Sequence, residues 1–193
     1  MGLDMYLERM PRYKSATASD VSAVEDYLGW IEAKNAGSEY ARGTFRDWCG
    51  REEIPSPEHL EFYSKFYTVK YACWDTEHKY GRNSIMEQVG YWRKANAIHL
   101  WFVENVQDGE DDCCYHREVT KADLEELADI CHEVLCNPDL AECRLPTTSG
   151  FFFGGTEYDE WYMHDIRNTM EMIEDVLKTT DFEKEMLYYV SSW

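Results

Sequence analysis

Apolar positions along the chain follow two periods, one of two residues and one of three to four. Residues 2–9 (GLDMYLER) alternate apolar and polar side chains, which predicts a strand. Further strands are predicted over 67–75, 115–119, 150–155 and 186–191. Helical spacing predicts helices from Ser19 or Asp20 to Ile31, from Pro57 to Phe66, over 84–106, from Thr120 to Pro138 and over 157–178, and a short one within 38–49.

The predicted helix over 84–106 carries apolar side chains on nearly every side of its C-terminal half. One side holds Ile85, Val89, Trp92, Asn96, His99 and Val103, and another holds Ala97, Ile98, Trp101 and Phe102. A helix that is apolar all round is buried on several sides. We therefore expect it to be the central helix of the fold.

The predicted helices and short strands do not alternate regularly, which favours an α+β fold over a doubly wound one. We expect the central helix and further amphipathic helices to pack on a small mixed or antiparallel sheet containing 2–9, 150–153 and 186–191. A chain of 193 residues is long enough for one domain with its own core. Within this single domain, residues 10–83 read as an insertion or subdomain.

Charge is distributed very unevenly along the chain. Residues 1–103 carry 15 acidic and 13 basic side chains, whereas residues 104–193 carry 23 acidic and 6 basic ones. A strongly negative surface repels free nucleic acid and anionic membranes and attracts basic protein surfaces. We therefore expect neither a nucleic-acid ligand nor a membrane partner.

The N-terminal residues show no signal-peptide pattern, and no apolar run is long enough to cross a bilayer, so we expect a cytoplasmic protein. Seven cysteines at irregular spacing agree with a reducing compartment. Zinc ligation by Cys113, Cys114, His116, Cys131, His132 and Cys136 is disfavoured because no pair has the Cys-x₂-Cys spacing. We expect no metal and no cofactor.

Motifs of the common catalytic families are missing from the sequence. There is no phosphate-binding P-loop, no GxGxxG, no GxSxG and no HExxH. No residue is singled out as catalytic, and we expect the protein to work by binding and not as an enzyme.

Two stretches concentrate residues that are typical of ligand recognition. In 91–102 (YWRKANAIHLWF), the aromatic and polar side chains either contact a ligand or belong to the core. In 147–164, one reading is a pocket at the start of a helix, where backbone donors favour an anion, lined by Thr156, Glu157, Tyr158, Asp159 and Trp161. The alternative is that Glu157, Asp159 and Glu160 cap that helix. The candidate ligand residues are Trp92, Arg93, Lys94, Asn96, His99, Phe152 and Tyr158.

Carboxylates between residues 104 and 142 exceed what the solubility of a small domain requires. Spaced carboxylates resemble a phosphate backbone when they meet a basic groove. They could equally be an ordinary solvated helix face. The candidate partner-binding residues are Asp111, Asp112, Glu125, Glu126, Asp129 and Glu133.

Three stretches of the chain resemble an uncharacterised family of bacteriophage and prophage proteins. They are MGLDMYLER, VGYWRKANAIHLWFVENVQDGEDDC and LPTTSGFFFGGTEYDEWY, followed by a terminal YYVSSW. Members of that family often pass almost directly from the first strand to the YWRKANAIH segment, whereas about 70 residues intervene here. The resemblance implies a phage context and no named activity.

Three functional hypotheses follow. The leading one is an acidic inhibitor of a host defence system, of the anti-CRISPR or anti-restriction type, that binds a basic nucleic-acid-binding surface of its target. The second is a binding protein for a nucleotide or a nucleotide-derived immune signal. The third and weakest is a metal-dependent hydrolase that uses the same carboxylates.

The segment 10–83 is close to neutral and rich in aromatic residues. Its charge complements the acidic C-terminal half, which favours either a homodimer or contact with the target. We expect exposed aromatic side chains to supply the apolar part of that interface, namely Trp30, Phe45, Trp48, Tyr63 and Tyr67. The alternative is that this segment only extends the core.

Overall fold

The structure, a computed structural model, describes residues 2–71 and 81–193. The chain divides into two compact units. One unit combines the residues up to Arg9 with Gln88–Trp193, and the other is Met10–Glu87.

The fold is α+β. Its strands in the described residues are β1 (Asp4–Pro11), β2 (Thr68–Tyr71), β3 (Gly81–Ser84), β4 (Glu87–Arg93), β5 (Arg117–Val119) and β6 (Glu185–Ser192). Its α-helices there are α1 (Ala18–Asn35), α2 (Phe45–Cys49), α3 (Pro57–Tyr63), α4 (Asn96–Asn105), α5 (Lys121–Cys136), α6 (Ala141–Arg144) and α7 (Glu160–Thr179). Short 3₁₀ turns lie at Glu39–Ala41, Ser64–Phe66 and Pro138–Leu140.

A four-stranded sheet in the order β4-β1-β6-β5 organises the larger unit. Strands β5 and β6 are antiparallel, with Val119 opposite Leu187. The expected strands at 2–9, 115–119 and 186–191 are confirmed. Helix α4 lies in the core of this unit, since Ile98 and Phe102 are fully buried and Trp101 is 5% exposed.

The expected helix over 84–106 is wrong in its first half, which forms β4 instead. Along this strand, the buried positions Gly90 and Trp92 are two residues apart, as they are in a pleated strand. Lys94 then adopts a left-handed conformation with φ of 61°. Ala95 makes a tight turn in which the Asn96 N–H donates to the Lys94 carbonyl over 2.9 Å. Helical geometry therefore begins only at Asn96.

The expected strand at 150–155 is also wrong, because this segment is a loop. The Leu3 N–H donates to the Phe152 carbonyl at 3.3 Å, but no residue of 150–155 belongs to a strand. Gly154 has a φ of 94°, and a Cβ there would lie 3.1 Å from the Lys94 carbonyl oxygen. The second glycine therefore lets the loop approach Lys94 closely and ends any extended run.

Helices α5 and α7 pack against each other in the same unit. Thr120 and Asp123 form a capping box at the start of α5. The same Thr-x-x-Asp box starts α1, where Thr17 is the cap and Asp20 its partner, so the expected start at Ser19 or Asp20 is corrected to Ala18. None of the described helices has the length and apolar content needed to span a bilayer.

The smaller unit has its own core, built on α1, α2 and α3. Val21, Val24 and Ile85 are fully buried there. The five aromatic residues expected to be exposed are not: Tyr63 is fully buried, Phe45 is 5% exposed, and Trp30, Trp48 and Tyr67 are half-buried. Phe45 packs on Tyr27 and Trp30, and Tyr63 packs on Phe62, so these side chains stabilise this unit. Residues 72–75 of the expected strand at 67–75 lie outside the described residues.

Candidate functional site

Four of the candidate acidic residues form one surface, which we call the acidic face: Glu125, Glu126, Asp129 and Glu133 of α5. All four are exposed. The turn angle of an α-helix places them within an arc of about 100°, opposite the buried Leu124, Leu127 and Val134. Burial of the apolar stripe thus directs every one of these carboxylates to solvent.

Two ion pairs at the ends of the acidic face hold exposed side chains. Lys121 lies 2.9 Å from Glu125, and Arg144 lies 2.7 Å from Glu133. Exposed pairs of this kind stabilise a protein by about 0–1 kcal/mol, so a partner's cations can replace them at little cost. Among the described residues, Glu126 and Asp129 have no cationic partner.

The other two candidate acidic residues, Asp111 and Asp112, are not part of this face. Asp111 lies on the loop after α4, where one carboxylate oxygen is 3.1 Å from His99 Nε2 and the other accepts from the Trp193 indole N–H at 3.2 Å. Asp112 pairs with Arg117. Both carboxylates therefore stabilise the protein itself.

A second candidate site is a cleft of about 380 Å³ in the larger unit. Its walls come from the end of β4, the first turn of α4, the loop before α7 and the first turns of α7. The lining residues that carry polar or aromatic groups are Arg93, Lys94, Asn96, Thr147, Glu157, Asp159, Trp161, Tyr162 and Asp165.

Asn96 ties the walls of the cleft together. Its side-chain amide donates to the carbonyls of Phe153 at 3.2 Å and Gly155 at 2.7 Å, and its oxygen accepts from the Thr148 N–H at 3.1 Å. Asn96 is 4% exposed; its bond to Phe153 is buried, and the other two are partly buried. The loop 147–155 is thereby fixed against the start of α4.

Of the seven candidate ligand residues, Arg93, Lys94 and Asn96 line this cleft. Trp92 is buried, and its indole N–H donates to Thr169 at 2.9 Å. His99 is 1% exposed. Phe152 packs on Phe151, and Tyr158 packs on Tyr162. These four residues shape the surroundings of the cleft without lining it.

The two helix starts beside the cleft differ in their capping. At α7, the Asp159 carboxylate accepts from the Trp161 and Tyr162 N–H groups, so this start is already satisfied. At α4, no side chain caps the first turn, which opens into the cleft. The backbone donors available to an anion therefore belong to α4 and not, as 147–164 suggested, to the following helix.

Sequence reasoning missed Asp165. This side chain is half-buried in the wall of the cleft, and burial raises its pKa to about 6. It lies four residues after Trp161, so helical spacing alone places the two on one face of α7. That spacing was the available signal.

No cluster of three or more potential metal ligands occurs within residues 2–71 and 81–193. Cys131 is fully buried in the core, and burial raises its thiol pKa to about 12, which keeps it protonated. Cys113 and Cys114 lie side by side with their sulfur atoms 3.4 Å apart. Among the described residues, the carboxylates of the acidic face therefore do not form a cluster with the His and Cys ligands that zinc prefers.

Comparisons with models of protein families, with curated proteins and with solved structures give no match to this chain.

Proposed function

We propose that the protein is a binding protein that presents its acidic face to a basic, nucleic-acid-binding surface of another protein. In the phage context that the resemblance implies, the partner is a host defence protein such as a CRISPR effector or a restriction enzyme. Binding there excludes the partner's nucleic acid and so inhibits it. The observation that carries this proposal is the grouping of four exposed carboxylates on one side of α5.

The spacing of these carboxylates suits contact with a partner surface that binds phosphates. Glu125 and Glu133 are eight residues apart, which corresponds to about 12 Å along a helix axis. Four charges over that length give one charge per roughly 4 Å, close to the one per roughly 3.4 Å along a nucleic-acid strand. A row of Lys and Arg that pairs with phosphates can therefore pair with these carboxylates.

The surrounding charge acts in the same direction. Helix α7 packs on α5 and exposes Glu171, Glu174 and Asp175. The whole segment 104–193 has 23 acidic side chains against 6 basic ones. Such a field accelerates encounter with a basic protein at low salt and suppresses association with nucleic acid itself.

Affinity capture with a charge-reversed variant tests this proposal. The bait is the full chain, and the variant replaces Glu125, Glu126, Asp129 and Glu133 by Lys. A matched variant replaces Glu39, Glu52, Glu53 and Glu61 of the smaller unit by Lys, which changes the net charge equally but leaves the acidic face and α7 intact. All eight side chains are exposed, so both variants should fold.

We expect host nucleic-acid-binding proteins to be retained by the wild type and by the matched variant at 50 mM NaCl. They should be lost from the acidic-face variant and released from the wild type by 500 mM NaCl, because salt screens exposed charges. Retention that is the same for all three proteins, or that persists at 500 mM NaCl, would contradict the proposal.

A further inference from the structure

Opposite charges line opposite walls of the cleft. Arg93 and Lys94 lie on the wall formed by β4 and the start of α4, whereas Glu157, Asp159 and Asp165 lie on the wall that leads into α7. Lys94 has no carboxylate partner among the described residues, and the Arg93 Nε is 3.9 Å from Asp4 with its side chain 61% exposed. Both cations therefore remain available to a ligand.

The carboxylate of Asp165 is equally available. It is half-buried, and no hydrogen bond or ion pair to its oxygens occurs among the described residues. A carboxylate that is withdrawn from water without a partner destabilises the protein, and hydrogen-bond donors on a ligand would relieve that cost. The raised pKa has the same origin, since burial disfavours the charged form.

An aromatic side chain lies on the same wall as Asp165. Trp161 lines the cleft on the first turn of α7, four residues before Asp165, and is 76% exposed. A large indole left in water beside a cleft provides a flat apolar surface on which a planar ring can stack.

We infer that this cleft binds a nucleoside monophosphate whose base carries an exocyclic amine, with guanine the preferred base. The phosphate lies against Arg93, Lys94 and the uncapped first turn of α4. The base stacks on Trp161 and directs its N–H donors at the Asp165 carboxylate. Guanine presents two adjacent donors on its Watson–Crick edge, which suit one carboxylate, whereas uracil has no exocyclic amine.

The size and charge of the cleft select against larger anions. A volume of about 380 Å³ is near the lower end of the range for small-molecule sites. Three carboxylates face the two cations, so each additional phosphate meets increasing repulsion. A nucleic-acid strand is excluded for the same reason.

This site is independent of the acidic face, since none of the four face residues lines the cleft. Failure of protein capture would leave nucleotide binding intact, and the converse also holds.

Isothermal titration of the full chain with GMP, UMP, guanosine and inorganic phosphate tests the assignment. The cleft variants are Lys94→Gln, Trp161→Ala and Asp165→Asn. Two controls change a lysine and an aromatic residue at exposed positions outside the cleft, Lys178→Gln and Tyr115→Ala. Circular dichroism melting of each variant verifies that it is folded before titration.

We expect GMP to bind with one-to-one stoichiometry and each folded cleft variant to bind it about ten-fold or more weakly, with both controls unchanged. UMP, guanosine and inorganic phosphate should each bind more weakly than GMP. The assignment would be overturned by no GMP binding at 1 mM, by UMP or phosphate binding as tightly as GMP, or by folded cleft variants that keep wild-type affinity.

Discussion

His99 and Asp111 form a partly buried hydrogen bond in which the imidazole Nε2 lies 3.1 Å from the carboxylate. On its other side, the His99 Nδ1 lies 2.7 Å from the Tyr189 hydroxyl. Burial raises the pKa of Tyr189 well above its usual value, so this hydroxyl keeps its proton and donates to Nδ1. His99 is therefore neutral, with its proton on Nε2 and directed at Asp111.

Removal of the Asp111 carboxylate should destabilise the larger unit. Asp111→Ala leaves the His99 Nε2–H without an acceptor at a position that is 1% exposed, which costs about 1–3 kcal/mol. The Trp193 indole loses its acceptor as well. Urea denaturation measures the loss, and Glu110→Ala on the same loop, where the side chain is exposed, is the control. Equal stability of the two variants would contradict this role.

Because His99 is buried, we also expect the protein to lose stability in weak acid. Burial lowers its pKa from 6.5, and the neighbouring Asp111 opposes that effect only in part. The unfolded chain therefore takes up the proton first as the pH falls below about 6.5, which favours unfolding. His99→Gln should be less stable at pH 7 but should show a flatter decline between pH 7 and pH 5 in urea denaturation. A decline as steep as that of the wild type would exclude His99 as its source.

Asp165 should act in the opposite direction. Burial raises its pKa from 3.8 to about 6, so the folded state holds this proton more tightly than the unfolded chain does. Its ionisation destabilises the fold as the pH rises from about 4 through about 6. At pH 7, Asp165→Asn should stabilise the protein by about 1–2 kcal/mol, a value reduced for the solvent that reaches a half-buried group.

The measurement is the free energy of unfolding of Asp165→Asn and wild type at pH 4 and pH 7. The difference between the two proteins should be larger at pH 7 than at pH 4. A constant difference would show that the carboxylate titrates at its usual pKa.

Gly154 and Gly155 provide a matched pair for the loop that closes the cleft. Alanine at Gly154 must adopt a φ of 94° and place its Cβ 3.1 Å from the Lys94 carbonyl oxygen. We expect Gly154→Ala to cost about 1–3 kcal/mol and to weaken GMP binding, because the loop must move away from Lys94. Gly155→Ala meets open space and should leave the melting temperature unchanged.

Much of the fold follows from local patterns in the sequence. The apolar stripes of α5 and α7 are long enough to fix their period, and the capping box of Thr120 and Asp123 fixes where α5 begins. The alternation in 2–9 likewise identifies β1. In each case a single short-range pattern predicts the element, and no other pattern in the same segment predicts a different one.

Other elements depend on long-range contacts. Trp92, Asn96 and His99 are spaced as they are on a helix, yet Trp92 belongs to β4 because it packs beside Thr169 of α7. Nothing local shows that Lys94 is left-handed. The glycine and aromatic residues of 150–155 are compatible with a strand as well as with a loop. The hydrogen bonds from the Asn96 amide to the Phe153 and Gly155 carbonyls, which favour the loop, are not visible in the local sequence.

The candidate sites likewise combine features that local sequence patterns predict with features that depend on long-range contacts. Exposure of Glu125, Glu126, Asp129 and Glu133 follows directly from the period of α5. The bonds from Asp111 to His99 and Trp193 join residues that are distant in sequence, and Lys94 and Asp165 line the same cleft although they too are distant in sequence. Those relationships required the folded structure.

The proposal that the acidic face excludes a partner's nucleic acid is tested most directly by competition. The acidic face and nucleic acid compete for a partner retained by affinity capture. The measurement is the fluorescence anisotropy of a labelled duplex bound to that purified partner, as wild type or the Lys variant of Glu125, Glu126, Asp129 and Glu133 is added. We expect the wild type to release the duplex and the variant not to release it. Release by the wild type should weaken as salt rises. Anisotropy that stays constant or increases on addition of the wild type, as in a ternary complex with the duplex still bound, would contradict it.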